Sequence, residues 1–281
     1  VNFSGFSPKN FDLNYQGAVP ASEALSQSLN VPAVEMLHQF GEARFLDVLK
    51  NLGFTTFVYP SQHYGLSLIL GGGECNLLEL AGAYASLARV LNRFGSVQEY
   101  SSEDYRPLRL FRENSPEKKS DTKAFHKTNI SRFWPEIFPN KRKNAVSKGR
   151  KSASENEESL PLLSAASIWC TMEALRQVNR PRERSGWKHF ESSRRIAWKT
   201  GTSYGQKDAW AVGVNRQWTI GIWVGNFSGE GNPFLGGAVS AGPVMFTLFR
   251  QLTDRTKPLW FECPEYDLKR ISVCSATGYL P

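Results

Sequence analysis

A four-residue run in the second half of the chain combines groups that bind a carboxylate. Lys199 supplies a cation, Thr200 and Thr202 supply hydroxyls, and Gly201 between them has no side chain. An ammonium group and a hydroxyl can both donate hydrogen bonds to an anion, and a glycine lets another backbone approach closely. The run K-T-G-T therefore predicts a carboxylate-binding site.

The residues around this run predict the strands that must position it. An apolar lead-in at 196–198 runs into the motif, and further apolar runs at 209–214 and 218–224 are joined at 215–217. Short apolar runs bounded by polar residues are typical of strands. K-T-G alone is a weak signal, but K-T-G-T-S followed by D-A-W-A-V-G and G-I-W-V-G is far more specific.

A second candidate element lies in the run S-E-A-L-S-Q-S-L-N-V-P-A-V-E-M-L at residues 22–37. Ser28 and Asn30 match the pattern S-x-N, and Pro32 is typical of the first turn of a following helix. Either the two polar side chains cap that helix, or they belong to an active site. Residues 154–156 also match S-x-N within a linker-like stretch, so the tripeptide alone does not decide.

Taken together, these motifs resemble the penicillin-recognising serine transferases and hydrolases, whose signature is S-x-x-K, S-x-N and K-T-G in that order. The runs G-L-S-L-I-L-G-G-G-E at 65–74 and L-L-E-L-A-G-A-Y-A-S-L-A at 77–88 are similar to the transpeptidase domain of bifunctional, class A penicillin-binding proteins. The resemblance covers residues from about 3 to 252, with a gap near 101–160.

The resemblance implies an α+β fold, in which an antiparallel sheet packed with helices lies beside a mostly helical lobe and the N-terminal part is missing. We expect this domain at residues 1–252, with a polar insertion at 101–160 and a C-terminal extension at 253–281. The apolar patterns predict helices at 21–41, 42–52, 77–91, 163–178 and 243–252. In the family the active site is the cleft between sheet and helical lobe.

Catalytic roles follow from the resemblance for three residues. Ser28 would relay a proton to the leaving amine, Asn30 would hydrogen-bond the substrate amide, and Lys199 would hold the relay. The implied reaction is serine acyl transfer from a D-alanyl-D-alanine peptide to an amine of a neighbouring stem peptide. That reaction cross-links peptidoglycan.

Substrate binding falls to the rest of the K-T-G-T run. Thr200 and Thr202 would bind the terminal carboxylate, Gly201 would leave room for the substrate backbone, and the Thr202 N–H would form half of an oxyanion hole. The expected partners are the peptidoglycan stem peptide (D-Ala-D-Ala) and β-lactams. No cofactor and no metal are expected.

The nucleophile motif does not stand where this family has it. The three S-x-x-K matches begin at Ser115, Ser120 and Ser185, and all of them follow Ser28 in the chain. We therefore expect the acylating serine to lie outside this chain, which alone would be inactive. Two alternatives are a non-catalytic wall-binding protein of the same fold and a β-lactamase-like hydrolase. The hydrolase is disfavoured because no deacylating carboxylate can be placed.

Charge and cysteine content restrict the remaining possibilities. A formal net charge of +8 is compatible with nucleic-acid binding. However, one basic cluster at 141–151 is followed by glutamates, which is typical of a solvated linker. A contact of that cluster with acidic lipid or wall polymer is the alternative, and a second basic group at 180–195 could raise the potential near an anionic substrate. We expect no nucleic-acid partner.

Four cysteines and four histidines without C-x-x-C do not suggest a metal site. Cys263 and Cys274 are candidates for pairing, whereas Cys75 and Cys170 are predicted to be buried thiols. No run of eighteen apolar residues and no signal peptide occurs. Membrane contact is therefore expected only through a missing N-terminal anchor, which would hold a parent with a glycosyltransferase domain at the periplasmic face of the inner membrane.

Overall fold

The computed structural model describes residues 2–3, 5–10, 13, 15–108, 161–177, 195–254 and 256–274. Within them, residues up to 108 and from 163 onward form one compact unit. Most of the predicted insertion, the three S-x-x-K matches, the second S-x-N and nearly all of both basic groups lie outside the described residues.

Helices make up most of the first hundred residues. The lobe begins with α1 and α2, continues through two short helices and a 3₁₀ turn at Gly65–Leu70, and ends with the longest helix of the described chain. Their bounds are α1 Ala21–Ser26, α2 Asn30–Phe40, α3 Glu42–Asn51, α4 Ser61–Tyr64 and α5 Leu77–Val97.

The single helix predicted at 21–41 is wrong, because the structure has two helices separated by a turn around Ser28. Ser28 has φ +58°, in the left-handed region. Pro32 explains the break: it has no N–H to donate to the carbonyl of residue 28, and its ring would clash with that carbonyl in a continuous helix. The chain therefore restarts its helix at Asn30, with Pro32 in the first turn, where no N–H is needed.

A three-stranded antiparallel sheet carries the K-T-G-T run, as predicted. Its strands are β1 Ala197–Thr202, β2 Asp208–Val214 and β3 Thr219–Gly225, in the order β1-β2-β3. Lys199 is paired with Val212, and Gly201 with Trp210. The motif therefore lies on an edge strand of the described sheet.

Two helices that follow the lobe in sequence pack near the sheet. They are α6 Ala165–Arg176 and α7 Gly242–Leu252, and a π-helical turn at Gly237–Ala241 leads into α7. α6 packs on both α1 and β1. The helices and the antiparallel sheet together confirm the expected α+β fold.

One face of the sheet packs on α7. Trp198 contacts Phe246 edge-to-face at a ring-centroid distance of 4.7 Å, and Met245 and Phe249 are buried in the same cluster. A Cβ at Gly213 would lie 2.6 Å from the Phe249 ring, so this glycine permits the close approach of α7. Burying each of these large side chains stabilises the fold by roughly 1.5–3 kcal/mol.

The opposite face of the sheet packs on α5. A Cβ at Gly221 would lie 2.9 Å from Leu77 Cδ1 and 3.4 Å from Ala81 Cβ, so the helix lies directly against β3. The lobe on this side has its own apolar cluster. Its buried members are Leu37, Leu46, Phe54, Phe57, Tyr64, Leu68 and Ala83.

Candidate functional site

Strand alternation places the Lys199 side chain on the face of the sheet that packs on the helical lobe. Lys199 is in register with Val212, and Val212 with Gly221, which contacts α5. Residues directly opposite each other on neighbouring strands share a face, and successive residues alternate between faces. Thr200 and Thr202 therefore lie on the face opposite Lys199.

The ammonium group of Lys199 is held close to its own strand. Its Nζ donates a hydrogen bond of 2.8 Å to the carbonyl oxygen of Thr200, and the side chain is partly buried. An ammonium carries three donors. The structure therefore fixes a partly shielded positive charge beside the backbone of the K-T-G-T run.

The hydroxyl of Thr202 connects the end of β1 to the segment that leads into α7. Thr202 Oγ1 accepts a 3.0 Å hydrogen bond from the backbone N–H of Gly237. This bond uses an oxygen lone pair, and the hydroxyl proton remains a donor in its own right. Since Thr202 is exposed, that proton can reach a ligand lying along the strand edge.

Gly237 supports the motif and was not singled out in the sequence analysis. A Cβ at this position would lie 2.5 Å from the carbonyl oxygens of both Gly201 and Trp210. Real Cβ atoms do not come this close to backbone, so the position requires glycine. Within the run F-L-G-G-A-V at residues 234–239, nothing local indicates which glycine faces β1.

The glycine of the motif itself lies in open space. Gly201 is exposed, and a Cβ there would meet only the Trp210 Cβ, at 3.7 Å. The fold of the described residues therefore does not require glycine at 201. What the missing side chain leaves open is the surface beside β1.

Ser28 and Asn30 lie in the turn between α1 and α2. Ser28 is exposed, and Asn30 Nδ2 donates a 2.8 Å hydrogen bond to the Lys9 carbonyl oxygen. The interpretation that these two residues cap α2 is wrong, because the N-cap of α2 is Leu29, without a side-chain bond. The buried Asn10 instead accepts from the Val31 N–H at 3.2 Å through its Oδ1.

The two motif segments are connected through α6. This helix packs on α1, which ends just before Ser28, and on β1, which carries Lys199. Asn30 donates a hydrogen bond to the Lys9 carbonyl oxygen, and Lys199 donates one to the Thr200 carbonyl oxygen. α6 is therefore one of the elements that position the two motif segments relative to each other.

A carboxylate that sequence reasoning missed connects α5 to the loop before α4. Glu79 accepts hydrogen bonds from the Thr55 N–H at 3.2 Å, the Thr55 hydroxyl at 2.6 Å and the Thr56 hydroxyl at 3.1 Å. Desolvation raises the pKa of Glu79, but these hydrogen bonds outweigh it and hold the pKa below its ordinary value. Asn76 caps the same helix by accepting from the Glu79 N–H, and the spacing N-x-x-E is a recognisable start signal.

The cysteines differ from their predictions. Cys263 is a free thiol, so the bond considered between Cys263 and Cys274 is not formed, and Cys170 is exposed rather than buried. Cys75, which was predicted to be buried, is partly buried.

In the described part of the chain, no group of three or more His, Cys, Asp or Glu residues is arranged to hold a metal ion. None of the helices within the described ranges has both the length and the apolar character needed to cross a bilayer.

The chain is similar to two penicillin-binding proteins. No protein-family model matches the chain. Over 256 residues it is 29% identical to penicillin-binding protein 1C of Escherichia coli (strain K12), a match that covers 90% of this chain and 26% of that protein. The structure matches the crystal structure of penicillin-binding protein 1A from Haemophilus influenzae with a TM-score of 0.60 and 19% sequence identity.

The solved structure is covered over 42% of its chain, and this chain over 100%. This chain therefore spans about a quarter of the length of the curated relative and less than half of the solved one. The two matches confirm the resemblance to class A penicillin-binding proteins that the motifs indicated. The structural match by itself shows the fold.

Proposed function

We propose that this chain supplies the S-x-N and K-T-G-T parts of a peptidoglycan D,D-transpeptidase that binds penicillin and cross-links stem peptides by serine acyl transfer. The observation that carries this proposal is the K-T-G-T run on an edge strand of the described sheet, with open space beside Gly201. The similarity to penicillin-binding protein 1C over 90% of the chain supports it.

The edge of β1 suits an extended peptide that ends in a carboxylate. The edge of a strand can offer backbone hydrogen bonds to a peptide laid beside it, and pockets for alternate side chains add specificity. A substrate backbone can pass close to Gly201 because no side chain is there. The hydroxyls of Thr200 and Thr202 then bind the terminal carboxylate, each with a charge-assisted bond worth about 1.5–3 kcal/mol.

The S-L-N segment provides the polar groups for proton transfer and for binding the substrate amide. The left-handed turn at Ser28 leaves its hydroxyl exposed, so it can relay a proton to the leaving amine. Asn30 already donates through Nδ2 to the Lys9 carbonyl. Its Oδ1 therefore accepts from the substrate amide N–H, because in an asparagine side chain the nitrogen donates hydrogen bonds and the oxygen accepts them.

Lys199 contributes positive potential to this proton relay. Its ammonium group lies on the lobe-facing side of β1, in register with Val212, and favours the deprotonated form of a neighbouring hydroxyl. The nucleophile of this reaction is a serine of an S-x-x-K segment, and none of the three matches in this chain precedes Ser28 as the family signature requires. The parent protein carries a glycosyltransferase domain and a membrane anchor that place this domain at the periplasmic face of the inner membrane.

Fluorescent penicillin tests this proposal directly, because the acyl-enzyme is covalent and survives on a denaturing gel. This chain and a longer form of the protein with an upstream S-x-x-K are labelled side by side, with the S-x-x-K serine changed to alanine as control. Only the longer form, with its serine intact, is expected to be labelled. Labelling of this chain by itself would place the nucleophile within it, and an unlabelled longer form would favour a non-catalytic wall-binding protein.

A further inference from the structure

The C-terminal segment Trp260 to Asp267 lies along α6 and is held at both ends. Near the C-terminal end of the helix, Trp260 Nε1 donates a 2.6 Å hydrogen bond to Glu173 Oε1, and the Arg176 guanidinium stacks over the Trp260 ring at 4.7 Å. At its N-terminal end, Asp267 Oδ2 accepts a 2.8 Å hydrogen bond from the Ala166 N–H. The segment therefore runs antiparallel to α6.

A cysteine lies between the two contacts on each of these elements. Cys170 comes four residues after Ala166 and three before Glu173, so it shares one face of α6 with both. Cys263 comes three residues after Trp260 and four before Asp267. Because the two elements run antiparallel, these spacings bring Cys263 next to the helical turn that carries Cys170.

The surroundings of the two thiols agree with this proximity. The pKa of Cys263 is raised by desolvation first, then by Glu265 and by Cys170 itself. The influence of Cys170 on this pKa agrees with the placement of the two cysteines on facing elements. Both cysteines are exposed, so a soluble oxidant can reach them.

We propose that Cys170 and Cys263 are a site of disulfide formation, which under oxidising conditions joins the C-terminal segment covalently to α6. The oxidant is a disulfide, such as oxidised glutathione. The thiolate of one cysteine attacks it, forms a mixed disulfide and releases one reduced thiol. The other cysteine then attacks the mixed disulfide and releases the second thiol, so that two cysteine protons and two electrons pass to the oxidant.

The cross-link would affect the sheet as well as the C-terminal segment. α6 packs on β1, and the C-terminal segment already holds that helix through Glu173 and Ala166. A covalent bond midway between these two contacts prevents the segment from separating from α6. This site is independent of the proposed function, because neither cysteine belongs to the S-L-N or K-T-G-T segments.

The test is to equilibrate the reduced chain with a glutathione buffer rich in the oxidised form and to count free thiols by maleimide mass shift. We expect a loss of two of the four thiols, and a proteolytic peptide pair that joins Cys170 to Cys263. Cys170→Ser and Cys263→Ser should each abolish this pair, while Cys75→Ser and Cys274→Ser should keep it.

Circular dichroism of each variant checks that the fold is kept, and the exposure of both positions makes serine a mild change. Exchange should become faster as the pH rises, because the thiolate is the attacking form and desolvation raises the pKa of Cys263. Retention of all four thiols in the folded chain would overturn the proposal. A peptide pair joining Cys263 to Cys274 would also overturn it.

Discussion

The hydroxyl of Thr202, the last residue of β1, accepts a 3.0 Å hydrogen bond from the backbone N–H of Gly237. The two residues are 35 positions apart in the chain, and the bond fixes the end of the K-T-G-T run against the turn that leads into α7. The orientation of this hydroxyl is therefore set by the segment that follows the sheet. This relationship makes Gly237 the first position to test.

Gly237→Ala should destabilise the protein and weaken the candidate site. Its Cβ would lie 2.5 Å from two carbonyl oxygens of β1 and β2, and backbone atoms cannot move aside as a side chain can. We expect a loss of about 1–3 kcal/mol, as is usual for overpacking. Urea unfolding of this chain measures it.

Gly201→Ala is the matched control, because its Cβ meets only the Trp210 Cβ at 3.7 Å. The free energy of unfolding should change by less than about 1 kcal/mol, since alanine is easily accommodated in a strand. Penicillin labelling of the longer form should nevertheless fall, because the methyl group narrows the space beside β1. Equal destabilisation by the two variants would contradict the described packing of Gly237.

Ser28→Gly separates the function of the hydroxyl from the stability of the turn. A left-handed conformation costs a residue with a side chain roughly 1–2 kcal/mol, and Ser28 has φ +58°. Glycine removes that cost, partly offset by its larger loss of entropy on folding, so the variant should fold at least as stably as the wild type. Penicillin acylation of the longer form should still be lost with the hydroxyl.

Ser28→Ala provides the comparison, because it also lacks the hydroxyl but keeps the strained backbone. The two variants should lose acylation to the same extent and differ in urea midpoint, with glycine the more stable. Normal labelling of Ser28→Gly would remove Ser28 from the proton relay.

Lys199→Ala in the longer form should reduce penicillin acylation by about ten- to a hundredfold. A hydrogen bond to a charged group is worth roughly 1.5–3 kcal/mol, and each 1.36 kcal/mol is a factor of ten in rate. Lys207→Ala is the control, because it removes the same charge from an exposed position in the turn after β1. Equal losses in the two variants would indicate a general effect of net charge.

The pH dependence of stability should change in Glu79→Gln. The pKa of Glu79 is lower in the folded protein than its ordinary value, because hydrogen bonds from Thr55 and Thr56 favour the carboxylate. Its contribution to stability is therefore present above the unfolded pKa and is lost as the pH falls through the folded pKa. The wild type should lose more stability than Glu79→Gln on acidification below about pH 4.5, measured by urea unfolding.

Local pattern predicted much of the fold, and its failures have identifiable causes. The three strands follow their apolar runs, and α5 begins at the predicted residue, where Asn76 accepts from the Glu79 N–H. The helix predicted across Ser28 failed because the effect of Pro32 acts four residues upstream. The burial predicted for Cys170 failed because apolar neighbours in sequence do not reveal which face of a helix is covered.

What the sequence determined by itself is the chemistry and the local periodicity: a cation, hydroxyls and a glycine in K-T-G-T, and a strand to carry them. Tertiary structure alone decided which distant groups meet. Gly237 reaches Thr202, Asn10 reaches Val31, and the segment with Cys263 lies on α6. The physical reason is that the periodicity of helices and strands depends on neighbouring residues, whereas contacts between distant residues depend on how the whole core packs.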